Sequence, residues 1–425
     1  MDAKLTFLKA RSSHAVAVMM GVGALWGCER LCYAALRLLG MMFPSSVAGM
    51  LLAFGCLLLL RSTLPDVAER VAHVLAPGRL FLTRWMALFF VPPLVQLPLN
   101  AVPEITDLLG CVVIVVGGFG ANLIVTAWVA SRGTATTLPP KPKAINAVAW
   151  SRRSVLGLWS GVAFVGWLGF CCCSAPEALL AFGVAIAVLG FVWAEIGRAW
   201  LMTRGFEGAA LVLHPVLVSA CVAGVCWRLA GQPLSTYLYH GSTLNFDAAG
   251  NCLMALLAPA VVSLGLVLDL ERELLRANVR ALLQGTTCGA LFSLLSSAVL
   301  SRVFDLSEVY ARALLPKAVT TPVALVIAQI FGGNAGLTAC FVVLSGVLGA
   351  LFAVPILQRL GFVAPFVQGV ATGVSSHGIG TAALVRDNPT AAAFSAISFA
   401  LTAALSVSFA SVGVVRSVIE WLLAY

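Results

Sequence analysis

A histidine lies among flexible residues in an otherwise apolar segment, APFVQGVATGVSSHGIGTAALVRDNP, which runs from Ala364 to Pro389. Each glycine in it weakens a helix by about 1 kcal/mol relative to alanine, so a break is expected. The candidate substrate-binding groups and flexible positions at the break are Ser376, His377, Gly378, Gly380 and Thr381. A lone histidine is often a structural hydrogen-bonding residue, but an ionisable side chain at membrane depth indicates function by default. We therefore predict substrate binding here, with His377 as the proton-coupling candidate.

A second polar interruption, PKAVTTP, runs from Pro316 to Pro322. Pro316 suits a first helical turn, and Pro322 leaves a carbonyl unpaired that threonine hydroxyls can compensate. A helix that starts partway through a membrane directs its positive end at a cavity, which suits a carboxylate. We predict that Lys317, Thr320 and Thr321 bind one. The alternative for Lys317 is a side chain that extends from a helix start to the membrane interface.

Three further interruptions have two explanations each. In FGGNAG, a substrate contact by Asn334 competes with ordinary loop chemistry at Gly332 and Gly333. The breaks at His214-Pro215 and at Pro259 are either first-repeat counterparts of the later breaks or kinks without a binding role. An inverted repeat in the C-terminal half is therefore one hypothesis.

The composition indicates that membrane-spanning helices carry these groups. Hydrophobic residues make up 60% of the chain and charged residues 10%, whereas soluble domains have about 45–50% and about 25%. This excludes a soluble globular protein. Since a span needs about 20 apolar residues, the chain is predicted to be an all-α polytopic membrane protein with about 12–13 membrane segments, including discontinuous or re-entrant helices.

The segments form two modules joined by a basic, proline-containing linker: residues 1–130, 131–154 and 155–425. The first module is predicted to have four spans, at Val16 to Leu39, Phe43 to Leu60, Phe81 to Leu99 and Leu108 to Ala130. The second has five regular spans, at Val155 to Ser174, Leu179 to Ala199, Ala209 to Ala230, Cys252 to Leu270 and Ala281 to Leu300, and then four less regular segments, at Pro316 to Phe331, Gly336 to Leu357, Ala364 to Leu384 and Ala391 to Val415. Lysines and arginines concentrate on one side, which predicts an N-terminus on the cytosolic, stromal or matrix side.

Other classes of function are disfavoured. The net charge of +9 comes from residues dispersed at helix ends, which determine topology and do not form a nucleic-acid surface. The twelve cysteines lie mostly in apolar segments and lack paired CxxC motifs, so no metal site is expected. No hydrolase, metalloprotease or Walker motif is present, so we expect neither an enzyme nor a cofactor.

The order of several motifs resembles a known family. PKAVTTP, FGGNAGLTA, SGVLGA and HGIGTA occur between about Leu179 and Val415 in the order found in the LrgB/CidB membrane family. The first module, with FPSSVAGMLL and WMALFFVPPLV, is similar to the LrgA/CidA family of small four-helix membrane proteins. Fused in this order, the two modules resemble the plastidial glycolate/glycerate translocator type.

This resemblance implies a secondary transporter of small 2-hydroxy or 2-oxo monocarboxylates, such as glycolate, glycerate or pyruvate. Alternating access would be coupled to protons or to counter-exchange, in a plastid inner envelope or, outside eukaryotes, a plasma membrane. The first module would serve as a scaffold or oligomerisation part, and we expect a homo-oligomer in the lipid bilayer, with a dimer favoured. The alternative is a holin-like pore or regulator of cell-wall hydrolases. A pore is expected to need a continuous polar face, whereas these polar clusters are short.

Overall fold

The computed structural model describes residues 2–40, 45–99, 104–132, 152–173, 175–206, 213, 215–238, 247–270 and 272–424. Every regular element among these residues is a helix. Most of the predicted linker, 131–154, and His214 of the predicted His214-Pro215 break lie outside the described residues.

The helices of the first module are α1 (Asp2–Leu38), α2 (Ser45–Thr63), α3 (Pro65–Trp85), α4 (Val91–Val95), α5 (Ile105–Val112) and α6 (Gly118–Ser131). Those of the second module are α7 (Arg152–Cys173), α8 (Pro176–Thr203), α9 (Pro215–Leu229), α10 (Ala249–Met254), α11 (Leu257–Leu270), α12 (Arg272–Val303), α13 (Glu308–Leu314), α14 (Thr321–Phe331), α15 (Ala335–Arg359), α16 (Pro365–Asp387), α17 (Pro389–Ser411) and α18 (Gly413–Leu423). Short 3-10 turns join α3 to α4, and a π-helical turn joins α5 to α6.

Within the described residues, nine helical runs are long and apolar enough to cross a membrane. The remaining predicted segments correspond to the shorter helices α2, α9 and α14 and to the broken helix α16. The prediction of an all-α polytopic membrane protein is thereby confirmed.

The helix that contains the third predicted span begins at Pro65, sixteen residues before the predicted start of that span at Phe81. The early part of this helix carries a polar stripe at helical spacing, which lowers the local hydropathy although the chain is helical there. Asp66, Glu69 and Arg70 are exposed on this stripe, and His73, also exposed, continues it one turn later. The α-helix gives way to a 3-10 turn at Met86–Phe90, one turn before Pro92 and Pro93, where a proline ring clashes with the carbonyl four residues earlier.

Two further expectations about proline need correction. Pro316 lies in a turn and does not start a helix, whereas Thr320 is the N-cap of α14 and Pro322 occupies its first turn. Pro322 therefore begins this helix and does not interrupt it, because a proline lacks only an N–H group that has no helical partner in the first turn. Pro215 likewise begins α9, and Pro259 lies in the first turn of α11, just after a break at residues 255–256. The inverted repeat stays a prediction.

The two modules pack closely where α2 meets α11. A Cβ on Gly265 would lie 2.4 Å from the carbonyl oxygen of Met50, so only a glycine permits this approach of the two backbones. At the end of the same interface, Nε of Arg61 donates to Oδ1 of Asp269 and Nη2 to Oδ2, both at 2.7 Å. The Asp269 side chain is 1% exposed. This bidentate pair joins the modules.

Replacing Arg61 by leucine is expected to lower the thermal stability of the detergent-solubilised protein. Breaking a buried pair costs about 3–5 kcal/mol when the remaining charge has no other partner. The loss here should be smaller, because Arg61 is 24% exposed and Arg272 still lies 3.9 Å from Oδ1 of Asp269. Thermal unfolding followed by fluorescence-detected gel filtration measures the change. The control is Arg84→Leu, since Arg84 lies 3.8 Å from Glu195 and is 58% exposed. Equal losses in both variants would contradict a special role for the Arg61 pair.

Candidate functional site

The break predicted in the histidine segment lies at the histidine itself. His377 has φ 44° and ψ −143°, a conformation that non-glycine residues rarely adopt, and it divides α16 into two helical parts. Backbone strain of about 1–3 kcal/mol persists only where surrounding packing enforces it, and such residues cluster at functional sites. The strain agrees with the predicted role of His377, which stays a prediction.

His377 is fully buried, and its two ring nitrogens differ. Nε2 lies 2.9 Å from the carbonyl oxygen of Val342 on α15. Because a carbonyl only accepts hydrogen bonds, Nε2 carries the hydrogen and donates it. Nδ1 has no partner. In this tautomer Nδ1 holds a free lone pair, so it is the ring atom able to accept a proton or a hydrogen bond.

The neighbours of His377 are held by local hydrogen bonds. The Ser376 hydroxyl donates to the carbonyl of Thr372 at 2.7 Å, and the Thr381 hydroxyl donates to the carbonyl of His377 at 2.8 Å. Thr381 Oγ1 also lies 2.7 Å from the Ser395 hydroxyl of α17. Gly380 and Gly378 are buried beside them. These hydroxyls stabilise the break, and their contact with a substrate stays a prediction.

Lys317 is buried inside the helix bundle, with 2% exposure, so it does not extend along the protein surface. Its ammonium group donates to the hydroxyl of Ser297 on α12. A Cβ on Gly118 of α6 would lie 3.2 Å from Lys317 Nζ, so this glycine leaves room for the lysine. Among the residues that the structure describes, no carboxylate forms an ion pair with Lys317. A buried ammonium group without a counter-ion is unfavourable, and an anionic ligand would compensate it.

The structure gives no direct contact between Lys317 and the other predicted groups of its segment among the described hydrogen bonds. Thr320 caps α14, and the hydroxyl of the buried Thr321 has no partner. Asn334 is exposed and caps α15 by accepting from the N–H of Leu337 at 3.0 Å. Gly332, with φ 69°, ends α14 in the left-handed conformation, and Gly333 follows it. Helix capping thus accounts for the FGGN motif.

The two breaks are connected through α6, which the sequence alone did not identify. Gly118 touches Lys317, and the ring of the adjacent Phe119 lies 3.5 Å from the Cβ position of Gly349, where the Ser376 side chain also packs. Phe90, also in the first module, has its ring centroid 6.3 Å from that of His377. Both breaks are therefore lined in part by the first module. The signal available in the sequence was a polar asparagine in the apolar run FGANLIVT.

Two glycine-to-alanine substitutions are expected to have opposite effects. A Cβ on Gly349 would lie 1.9 Å from the Cβ of Ser376, so Gly349→Ala forces the helices apart and costs about 1–3 kcal/mol. Gly120→Ala meets nothing within 4 Å and gains up to about 1 kcal/mol of helix propensity. Thermal unfolding of the two variants in detergent checks this. A stable Gly349→Ala protein would contradict the tight packing of α15 on Ser376.

Comparison with known proteins adds family relationships. The LrgB-like family matches residues 199–415, and the LrgA family matches residues 31–130. No solved structure matches the chain.

Among similar proteins, the plastidal glycolate/glycerate translocator 1 of Arabidopsis thaliana is 31% identical over 396 residues, 88% of this chain and 74% of that protein. The uncharacterized protein YxaC of Bacillus subtilis is 29% identical over 172 residues, 40% of this chain and 75% of its own. The holin-like protein CidB of Staphylococcus aureus (strain Mu50) is 25% identical over 194 residues, 46% of this chain and 81% of its own.

Proposed function

Because the chain belongs to the LrgB-like family and carries an LrgA-family module before that region, we propose that it is a secondary transporter of small 2-hydroxy or 2-oxo monocarboxylates. Glycolate and glycerate are the first candidates, since the similar plant protein is named for them. Pyruvate has the same carboxylate with a 2-oxo group. The transporter works by alternating access, coupled to protons or to exchange.

The observation that carries this proposal is the environment of Lys317. Its ammonium group is buried, its hydrogen-bond partner is a neutral serine, and no carboxylate of the described residues pairs with it. A substrate carboxylate would supply the missing charge and form a charge-assisted hydrogen bond. The N-terminus of α14, three residues away at Thr320, adds a positive dipole end of the same sign.

The break at His377 supports alternating access, because it allows the two halves of α16 to move relative to each other. Two half-helices that meet at a strained residue can change their relative orientation with few backbone dihedral changes, as in the discontinuous helices of transporters. The free lone pair of Nδ1 is the proton acceptor that we assign to coupling. Substrate binding at Lys317 and protonation at His377 would then bias the two access states.

The protein is integral to a membrane, as its long apolar helices indicate. We place its N-terminus on the cytosolic, stromal or matrix side, and we propose a plastid-envelope type of location in a eukaryote and the plasma membrane otherwise. A homo-oligomer, with a dimer favoured, is part of the proposal.

Uptake of radiolabelled glycolate into proteoliposomes that contain the purified protein tests the proposal. We expect saturable uptake that glycolate or glycerate inside the vesicles accelerates, because a carrier reorients faster when both of its access states bind substrate. Unsaturable flux, together with release of unrelated solutes such as glucose, would instead show a pore, which is what the name of the similar CidB proteins suggests for those proteins.

A further inference from the structure

Two polar side chains of α6 are buried without partners. Asn122 is 1% exposed, and neither its amide nitrogen nor its amide oxygen has a hydrogen bond. Thr126, one turn further along, is fully buried, and its hydroxyl has no partner. A buried polar group without a hydrogen bond costs about 1–3 kcal/mol. A polar ligand that forms hydrogen bonds with Asn122 and Thr126 would remove this cost.

Helix α12 packs against this face of α6 at Gly289, and two serines follow at one-turn spacing on the same side of α12. The hydroxyl of Ser293, a residue with 4% exposure, is also unpartnered, and Ser297 lies one turn away, bonded to Lys317. A Cβ on Gly289 would lie 2.5 Å from Oγ1 of Thr126 and 3.4 Å from Oδ1 of Asn122. We call Asn122, Thr126, Ser293 and Ser297 the α6–α12 polar strip.

The order of these contacts shows that the two helices run antiparallel. Gly118 of α6 meets Lys317 beside Ser297, and Thr126 meets Gly289 at the other end. On α6, Gly118 and Asn122 are separated by one turn, a rise of about 5.4–6 Å. Lys317 thus stands at one end of the strip, and the Asn122 amide stands about one turn along it. This spacing suits the two polar ends of a two- or three-carbon acid.

We infer that Asn122 is a specificity-determining residue that hydrogen-bonds the 2-hydroxyl or 2-oxo oxygen of a monocarboxylate whose carboxylate is bound by Lys317. The inference rests on the proposed transport function and names the part of the substrate that the first module recognises. An amide both donates and accepts, so it pairs with a hydroxyl in either direction and with an oxo group as a donor. An acid without a polar 2-substituent leaves the amide unpaired.

The strip also limits the length of the substrate. Cγ1 of Val374 lies 2.3 Å from the Cβ position of Gly289, so this side chain from α16 closes the strip at the Thr126 end. Val374 stands three residues before His377. The Thr126 end of the strip therefore meets α16 one helical turn before the break at His377.

Competition against radiolabelled glycolate uptake into proteoliposomes tests the inference, with glycolate and acetate as the competing pair. In the wild-type protein we expect glycolate to compete at least about tenfold better than acetate, since a site built to bind a hydroxyl disfavours the analogue that lacks it. In Asn122→Leu the preference should fall to about one, with the acetate inhibition constant changed by no more than about twofold.

Thr402→Val is the matched control, because the Thr402 hydroxyl is equally buried and unpartnered but lies on α17. It should keep the wild-type preference. If Asn122→Leu does not fold, Asn122→Ala must show the same loss. A preference that survives in either Asn122 variant, or a wild-type protein without any preference, overturns the inference while transport stands. A wild-type protein without saturable monocarboxylate uptake overturns the proposed function itself.

Discussion

Proteoliposomes that contain Lys317→Met are expected to lose at least about 30-fold in glycolate uptake efficiency, because truncating one member of a buried charge pair costs about 2–5 kcal/mol. Methionine keeps much of the length and volume of the lysine and removes only its charge, so the packing against Gly118 and Ser297 is preserved. The initial rate at subsaturating glycolate measures the effect.

The thermal stability of Lys317→Met serves as a control, because it separates a loss of substrate binding from a loss of folding. Removing a buried ammonium group that lacks a carboxylate partner should leave thermal stability unchanged or raised, since a hydrophobic replacement avoids its desolvation. Lys317→Met that transports at the wild-type rate would show that the counter-charge lies elsewhere. Lys317→Met that is destabilised by several kcal/mol would show that the lysine has a structural role instead.

The second large effect is expected at His377. His377→Gln should abolish the acceleration of uptake by an inward acid gradient, because glutamine offers no titrating group in place of Nδ1. Exchange of glycolate for glycolate at equal pH should persist, since exchange needs no net proton movement. Uptake measured with and without an imposed pH gradient separates the two behaviours.

His377→Gly separates the proton role from backbone strain. Glycine adopts positive φ without a steric cost, which offsets part of the loss from the cavity and from the missing bond to Val342. The variant should therefore still fold, and it should also lose the response to the acid gradient. Full pH-gradient acceleration in either variant would contradict proton coupling at His377. Collapse of His377→Gly would show that the imidazole bond to Val342 stabilises the helix pair more than the strain destabilises it.

Much of the fold could be predicted from the sequence because bilayer thickness imposes a length on every span. The break at His377 followed from glycines and serines around a titratable side chain, and the structure places it at that residue. The helical stretch of α3 before Phe81 was not predicted, because Asp66, Glu69 and Arg70 interrupt the apolar pattern without interrupting the helix. A hydropathy average counts every residue in a window equally, whereas an amphipathic helix places its polar residues on one face and its apolar residues on the other.

The candidate site was only partly predictable because its groups come from both modules. Lys317 could be predicted as a candidate because it lies between two prolines in an apolar segment. The local sequence does not reveal that Ser297 and Gly118 lie beside it. Asn122 is unremarkable within its own helix, and it gains significance only when α12 buries it without a partner. The FGGN motif is the opposite case. Its residues were candidates for binding from the sequence, and the structure shows that Gly332 and Asn334 cap two helices.

Equilibrium binding of glycolate and of glycolamide to the purified protein tests the role of Lys317 most directly. The two molecules have nearly the same shape and the same 2-hydroxyl, but only glycolate carries a negative charge. The wild-type protein should bind glycolate at least about 30-fold more tightly than glycolamide, and Lys317→Met should lose this preference. Equal binding of both molecules by the wild-type protein, or an undiminished preference in Lys317→Met, would contradict Lys317 as the carboxylate-binding group.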